Sequence, residues 1–256
     1  MTMHSQATAT VERGAAYLRR DLITAAMLLI ALLAWDVAGW DLAATRIFGG
    51  LHGFAWRESV LTSGVLHQGG RLFGWAVFAA LVWNVWKPLP GLGGSNAMRR
   101  RLRLWWVFAT VVCLLLIPAL KRGSLSSCPW DLQEFGGIAR YVSHWRWGVG
   151  DGGPGRCFPS GHASAAFAFI GGYFALREQH SRLARGFLIA ACSLGAMFGL
   201  AQMARGAHYP SHTLWTAWIC WSTSLLLYHA MQRWLTPAQA RTTRPEPHQP
   251  AELQAP

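Results

Sequence analysis

The chain has 256 residues, of which 52% are hydrophobic and 13% charged, with a formal net charge of +12. Soluble domains carry about 25% charged residues, so this composition argues against an ordinary soluble protein. The apolar residues also fall in long blocks rather than amphipathic stripes, which is the pattern of a membrane helix bundle.

The predicted fold class is all-α: a six-span transmembrane helix bundle with a long extracytoplasmic loop between spans 3 and 4. In chain order the candidate spans are Leu22–Trp40, Leu72–Val85, Leu104–Leu120, His162–Leu176, Phe187–Ala204 and Thr213–Leu227. A helix needs about 20 residues to cross the hydrocarbon and about 17 suffice, so the second and fourth runs borrow flanking residues. The first reads as a membrane helix rather than a cleavable signal, because no small-residue cleavage site follows it. Between the first two spans, Leu51–Leu66 has apolar residues at helical spacing bounded by Gly49-Gly50 and Gly69-Gly70, and is expected to lie flat on the membrane surface. Residues 1–235 form the membrane domain, and the Pro-, Gln- and Arg-rich stretch 236–256 is read as a disordered cytoplasmic tail.

Arginines orient the bundle. Arg13, Arg19, Arg20, Lys87, Arg99–Arg101, Arg103, Arg177, Arg182, Arg185, Arg233, Arg241 and Arg244 fall on one side of a six-span arrangement, which the positive-inside rule makes cytoplasmic. The expected setting is a cytoplasmic (inner) membrane. This accounts for the basic balance without a nucleic-acid partner. Most of the 15 tryptophans read as interfacial anchors: Trp40, Trp83, Trp86, Trp105, Trp106 and Trp234 lie near span ends, and Trp145 and Trp147 lie in the outer loop.

The longest loop, from Lys121 to about Ser160, carries the chemistry-bearing residues. It begins with Lys121 and Arg122, passes Cys128-Pro129-Trp130-Asp131, and ends in Cys157-Phe158-Pro159-Ser160-Gly161-His162. Pro159 suits the first turn of a helix. Ser160 and Gly161 would then offer backbone N–H groups to an anion, with His162 projecting from the same turn. A second cluster, Arg205-Gly206-Ala207-His208, stands between the last two spans. Cations that hold a phosphate, a histidine that attacks phosphorus and a second that protonates the leaving oxygen would suit phosphoryl transfer.

On these residues the chain resembles the type 2 phosphatidic acid phosphatase superfamily, relatives of the vanadium haloperoxidases, in its bacterial integral-membrane branch. The family pattern is Lys-x6-Arg-Pro, then Pro-Ser-Gly-His, then Ser-Arg-x5-His-x3-Asp. Lys121 with Cys128-Pro129, Pro159-Ser160-Gly161-His162 and His208-Tyr209-Pro210-Ser211 follow it in order. Three positions depart: Cys128 replaces the first arginine, Gln202 the second, and His212 the aspartate that orients the nucleophile. Arg205 would stand in for the second arginine, three residues from His208. His212 would orient His208, or a carboxylate such as Asp131 or Asp151 would move in.

The resemblance implies a membrane phosphatase acting on a lipid phosphate or diphosphate monoester at the outer face, with no cofactor and no metal. His208 is the implied nucleophile, His162 the acid and base, and His212 the orienting residue. Lys121, Arg122, Ser160, Gly161 and Arg205 are the implied phosphate ligands. Membrane lipids are the expected surroundings, and no oligomeric state follows. A lipid phosphotransferase and a non-catalytic lipid-binding or transport protein are the alternatives. A zinc site at His162, His208 and His212 lacks the glutamate of a zincin pattern, and Pro210 interrupts the helix.

Of five cysteines, Cys113, Cys192 and Cys220 fall in apolar spans, where cysteine is a small hydrophobe. Cys128 and Cys157 share the outer loop, where an oxidising exterior permits a disulfide. It would close a loop of about 30 residues, for roughly 3 kcal/mol on chain-entropy arguments. Two free thiols are the alternative.

Overall fold

Helices dominate the computed structural model, which describes residues 3–88 and 97–235. Helix α1 (Met3–Val37) is followed by the short α2 (Trp40–Thr45) and a hairpin of β1 (Gly49–Gly50) and β2 (Gly53–Phe54), in which Gly49 pairs with Phe54. Then come α3 (Val60–Trp86), α4 (Ala97–Arg122), α5 (Ser164–Leu176), α6 (Ser181–Ala204), α7 (Pro210–Ala230) and α8 (Gln232–Leu235). The segment 236–256, read as a tail, lies outside the described residues.

Among the described residues, three helices are long and apolar enough to cross a membrane: Val60–Trp86, Arg99–Arg122 and Ser181–Ala204. The other predicted spans are helical but fall short on length or polarity. In α1 the apolar run is closed off by Asp21 and Asp36. The α5 run is shorter and passes through a 3₁₀ turn at Ala168–Ile170. In α7 a run of polar residues (Ser211, His212, Thr213, Thr216, Ser224) is buried.

The surface helix expected over Leu51–Leu66 does not form. That stretch divides between the hairpin and a π-helical first part of α3, Val60–Gly69, which continues unbroken into Gly70. Gly69 and Gly70 have ordinary helical torsions. Packing explains Gly70: a Cβ there would lie 2.8 Å from the Phe198 ring of α6 and 3.4 Å from His162 Nε2. The glycine pair lies inside one helix rather than at its boundary, and Gly70 permits the close approach.

The core is aromatic and tightly packed. Trp105 is fully buried edge-on to Tyr228, and Trp106 meets Phe187 at 90°. These two tryptophans are core residues, not the interfacial anchors their position suggested, because α4 is packed between α3, α5 and α7. At one end of the bundle, Arg177 is buried in an ion pair with Asp21 and ringed by Tyr17 and Tyr228. Arg99, Arg103 and His180 gather at this same end. The opposite end, closed by the loop 123–163, carries the candidate site.

Candidate active site

Three chain turns bring the site together. The first is the end of α4, where Lys121 stands on the last turn. Its ammonium lies beside the backbone at Gly161, 3.9 Å from where a Cβ would stand. Lys121 lines a cavity of about 520 Å³. Arg122 is exposed and does not line it. One step along a helix turns a side chain by about 100°, which here carries Arg122 off the face on which Lys121 meets the cavity.

The second is the turn before α5. The helix begins at Ser164, not Pro159, which follows Phe158 through a cis peptide bond. Ser160 is tied to α7: its N–H donates to the His212 carbonyl at 3.1 Å, and its carbonyl accepts from Thr216 Oγ1 at 3.0 Å. Ser160 is therefore fully buried, has its N–H already used and is not brought to the cavity lining with the other expected phosphate ligands. Gly161 and His162 do line the cavity. Neither N–H makes a backbone hydrogen bond among the described residues. His162 Nε2 meets the Leu66 carbonyl at 3.0 Å. A carbonyl only accepts, so that nitrogen carries a proton.

The third is the connector between α6 and α7. Gly206, at φ +73°, ends α6 as a left-handed C′ residue, with Ala207 N–H returning to the Gln202 carbonyl at 2.8 Å. Pro210 opens α7 at its first turn. Asp41 from α2 receives the Ser211 N–H at 3.0 Å, capping that helix from outside. His208 is thus held between a glycine stop and a proline start, on rigid backbone. It is 4% exposed and lines the cavity, as does Arg205, whose Nε donates to the Arg57 carbonyl at 2.9 Å.

Lys121, Gly161, His162, Arg205 and His208 therefore share one cavity. His212 does not line it: it lies behind His208, the two Nδ1 atoms 3.4 Å apart. Burial, then the nearby Lys121 charge, pushes the His208 pKa well below its usual value, so the ring is neutral at neutral pH. Cys157 Sγ is 3.5 Å from the same Nδ1, and Cys128 and Cys157 stand at disulfide distance, S–S 2.12 Å and Cα–Cα 5.2 Å. Neither acid suggested as a replacement reaches the histidines. Asp151 binds Ser127, N–H at 2.5 Å and Oγ at 2.8 Å, and the Asp131 carbonyl braces the turn at Gly137–Ala139.

Two cavity residues have no motif to announce them. His67, on the π-helical part of α3, is 4.5 Å ring to ring from His162 and 3.1 Å from Gln202 Nε2. Arg71 lies one turn further on. Gln202, at a position where the resemblance calls for arginine, thus holds a histidine instead. Away from these polar groups the cavity wall is apolar: Trp75, Phe78, Leu114, Pro118 and Phe169.

A family model for the PAP2 superfamily matches residues 98–235, more than half of the chain, and the chain belongs to this superfamily. The match takes in Lys121, His162, Arg205 and His208 but not His67 or Arg71. No curated protein and no solved structure gives a significant match. Membership supports phosphatase activity on phosphate esters.

Proposed function

We propose that this PAP2 superfamily member is an integral-membrane phosphatase that hydrolyses a lipid phosphate or diphosphate monoester at the outer membrane face, through a phosphohistidine on His208. One observation carries the reading. A single cavity puts Lys121, His162, Arg205 and His208 at its polar end and a wall of Trp75, Phe78, Leu114 and Phe169 beside them. That division suits an amphiphile with an anionic head.

In this reading the six helices α1, α3, α4, α5, α6 and α7 cross the membrane, with both ends of the domain cytoplasmic. The gathering of Arg99, Arg103, Arg177 and His180 at the bundle end opposite the cavity supports that orientation. So do the apolar side chains exposed along the helices, among them Met27, Ile30, Phe73, Leu115, Ile189 and Leu226, which lipid tails would cover.

The chemistry follows from the two nitrogens of each ring. His208 turns Nδ1 toward His212, which leaves Nε2 to attack phosphorus. A P–N bond forms while the P–O bond to the lipid breaks, and His162 protonates the departing oxygen. Its Nε2 is engaged by the Leu66 carbonyl, so Nδ1 is the nitrogen left to carry that proton. Water then attacks the phosphohistidine, gives a proton to His162 and releases phosphate. Lys121 and Arg205 offset the charge on the transferring oxygens, joined by the free N–H groups of Gly161 and His162. His212 orients His208, and the Cys128–Cys157 bond would tie the segment after Lys121 to the turn at His162.

The test is phosphate release by purified protein in detergent with a chelator present. Phosphatidate, phosphatidylglycerol phosphate, a polyprenyl diphosphate and lipid A serve as substrates, with His208→Ala as control. Release from at least one of them that His208→Ala abolishes is the expected result; no release from any overturns the reading.

A further inference from the structure

The phosphatase reading leaves a gap. Attack by His208 places positive charge on its ring, yet the neighbour at Nδ1 is another histidine. His212 can hold the ring by a hydrogen bond but brings no negative charge. Charge of the right sign has to come from beyond His212.

One buried carboxylate stands on that line. Asp36, on the last turn of α1, has a side chain only 3% exposed, and His144 of the outer loop, 7% exposed, places Nε2 3.4 Å from Asp36 Oδ2. Trp145 and Trp215 each donate an indole N–H to the same oxygen at 2.9 Å. These are two neutral donors aimed at a carboxylate, the arrangement that keeps it ionised. Asp36 Oδ1 and His144 Nε2 are both buried with no hydrogen bond of good geometry among the described residues.

The His144 ring in turn stands 5.8 Å from that of His212, edge to face at 80°. Phe158 closes the gap, stacked on His144 at 4.3 Å and edge-on to His212 at 5.2 Å. The rings pack directly through Phe158, so the field of the Asp36 carboxylate is weakly screened there. Asp41, the other acid of this region, is already occupied. Its oxygens take Trp35 Nε1, Ser211 N–H and Ser211 Oγ, which makes it a helix cap.

We propose that Asp36 and His144 are positioning residues for the phosphatase reaction, acting through His212 to hold His208 and to offset the charge that develops on it. The proposal rests on the phosphatase reading above. It explains how a PAP2 chain with histidine at the orienting position can keep an effective nucleophile. It also gives the outer-loop tryptophan Trp145 a task besides anchoring.

Orthovanadate is the probe, because it mimics phosphate in mid-transfer without depending on which lipid is the substrate. Binding is measured by calorimetry on the full-length protein in detergent, beside kcat and KM for a short-chain phosphatidate. Wild type should bind vanadate, and His208→Ala should not. Asp36→Asn and His144→Gln should each weaken vanadate about tenfold and lower kcat to match, with KM little changed. A merely structural role is separated by His212→Asp, which supplies the carboxylate directly. In that background Asp36→Asn should cost less than about threefold. Should Asp36→Asn not fold, His144→Gln with and without His212→Asp carries the same comparison. Undiminished vanadate affinity in Asp36→Asn or His144→Gln, or an equal loss with and without His212→Asp, overturns the proposal alone. Failure of the wild type to bind vanadate, or binding that survives His208→Ala, overturns the phosphate-site reading and the proposal together.

Discussion

Gly206→Ala tests whether the connector that carries Arg205 and His208 is as constrained as the structure shows. Gly206 sits at φ +73°, where a residue with a Cβ pays about 1–2 kcal/mol. The new methyl would also lie 2.3 Å from Phe54 Cδ2. That ring cannot retreat freely, because Phe135 packs against it at 4.9 Å. Overpacking of this kind costs about 1–3 kcal/mol, so the combined loss is about 2–5 kcal/mol. At roughly 2–4 °C per kcal/mol for a chain of this size, the unfolding midpoint in detergent should fall by roughly 4–20 °C. Activity should fall further than stability at assay temperature, since the Gly206 carbonyl also receives the Trp130 N–H at 2.9 Å and fixes the loop over the cavity. Gly186→Ala is the control: it is helical with nothing within 4 Å of its Cβ position, and should be neutral or stabilising by about 0.5–1 kcal/mol. A Gly206→Ala protein that melts with the wild type would refute the argument.

Three further outcomes are expected. Because burial and the Lys121 charge disfavour the protonated His208, its proton is already lost as pH rises toward the ordinary histidine value of 6.5; the acid limb of kcat/KM should fall below that pH, and a limb at or above it contradicts the assignment. In intact cells, Ser143→Cys should react with an impermeant thiol reagent and Ser181→Cys should not, the reverse labelling being fatal to the proposed orientation. A digest alkylated without reduction should yield Cys128 and Cys157 as one linked peptide, with reduction lowering activity while leaving the helices folded; two separately alkylated peptides would show that the bond is absent.

What could be read from the chain alone divides by sequence distance. Lys121, His162, Arg205 and His208 were legible because each stands in a short motif beside an apolar block, and the structure brings all four to one cavity. Ser160 and Arg122 fall outside the cavity lining because a motif names neighbours without saying which way each faces. The turn before α5 spends the Ser160 N–H on His212, and helical rotation carries Arg122 away. Gly69-Gly70 looked like a boundary, since glycine punctuates sequence, yet the helix runs through both and Gly70 lets α3 approach Phe198 and His162. His67, and the Asp36–His144 pair, could not have been found from spacing. They meet the site only through tertiary packing, across 95 residues from His67 to His162 and 108 from Asp36 to His144.

The account turns on His208 as the nucleophile, and the most direct measurement is to trap the phosphoenzyme. Protein mixed with a lipid phosphate labelled at phosphorus and quenched in alkali within the first turnover should carry label. That label should be lost on acidification, as a P–N bond requires, and map to the peptide containing His208. Wild-type label at that peptide, with none in a folded His208→Ala protein, is the predicted result. Label elsewhere, or phosphate release that persists at wild-type rate in His208→Ala, would contradict it.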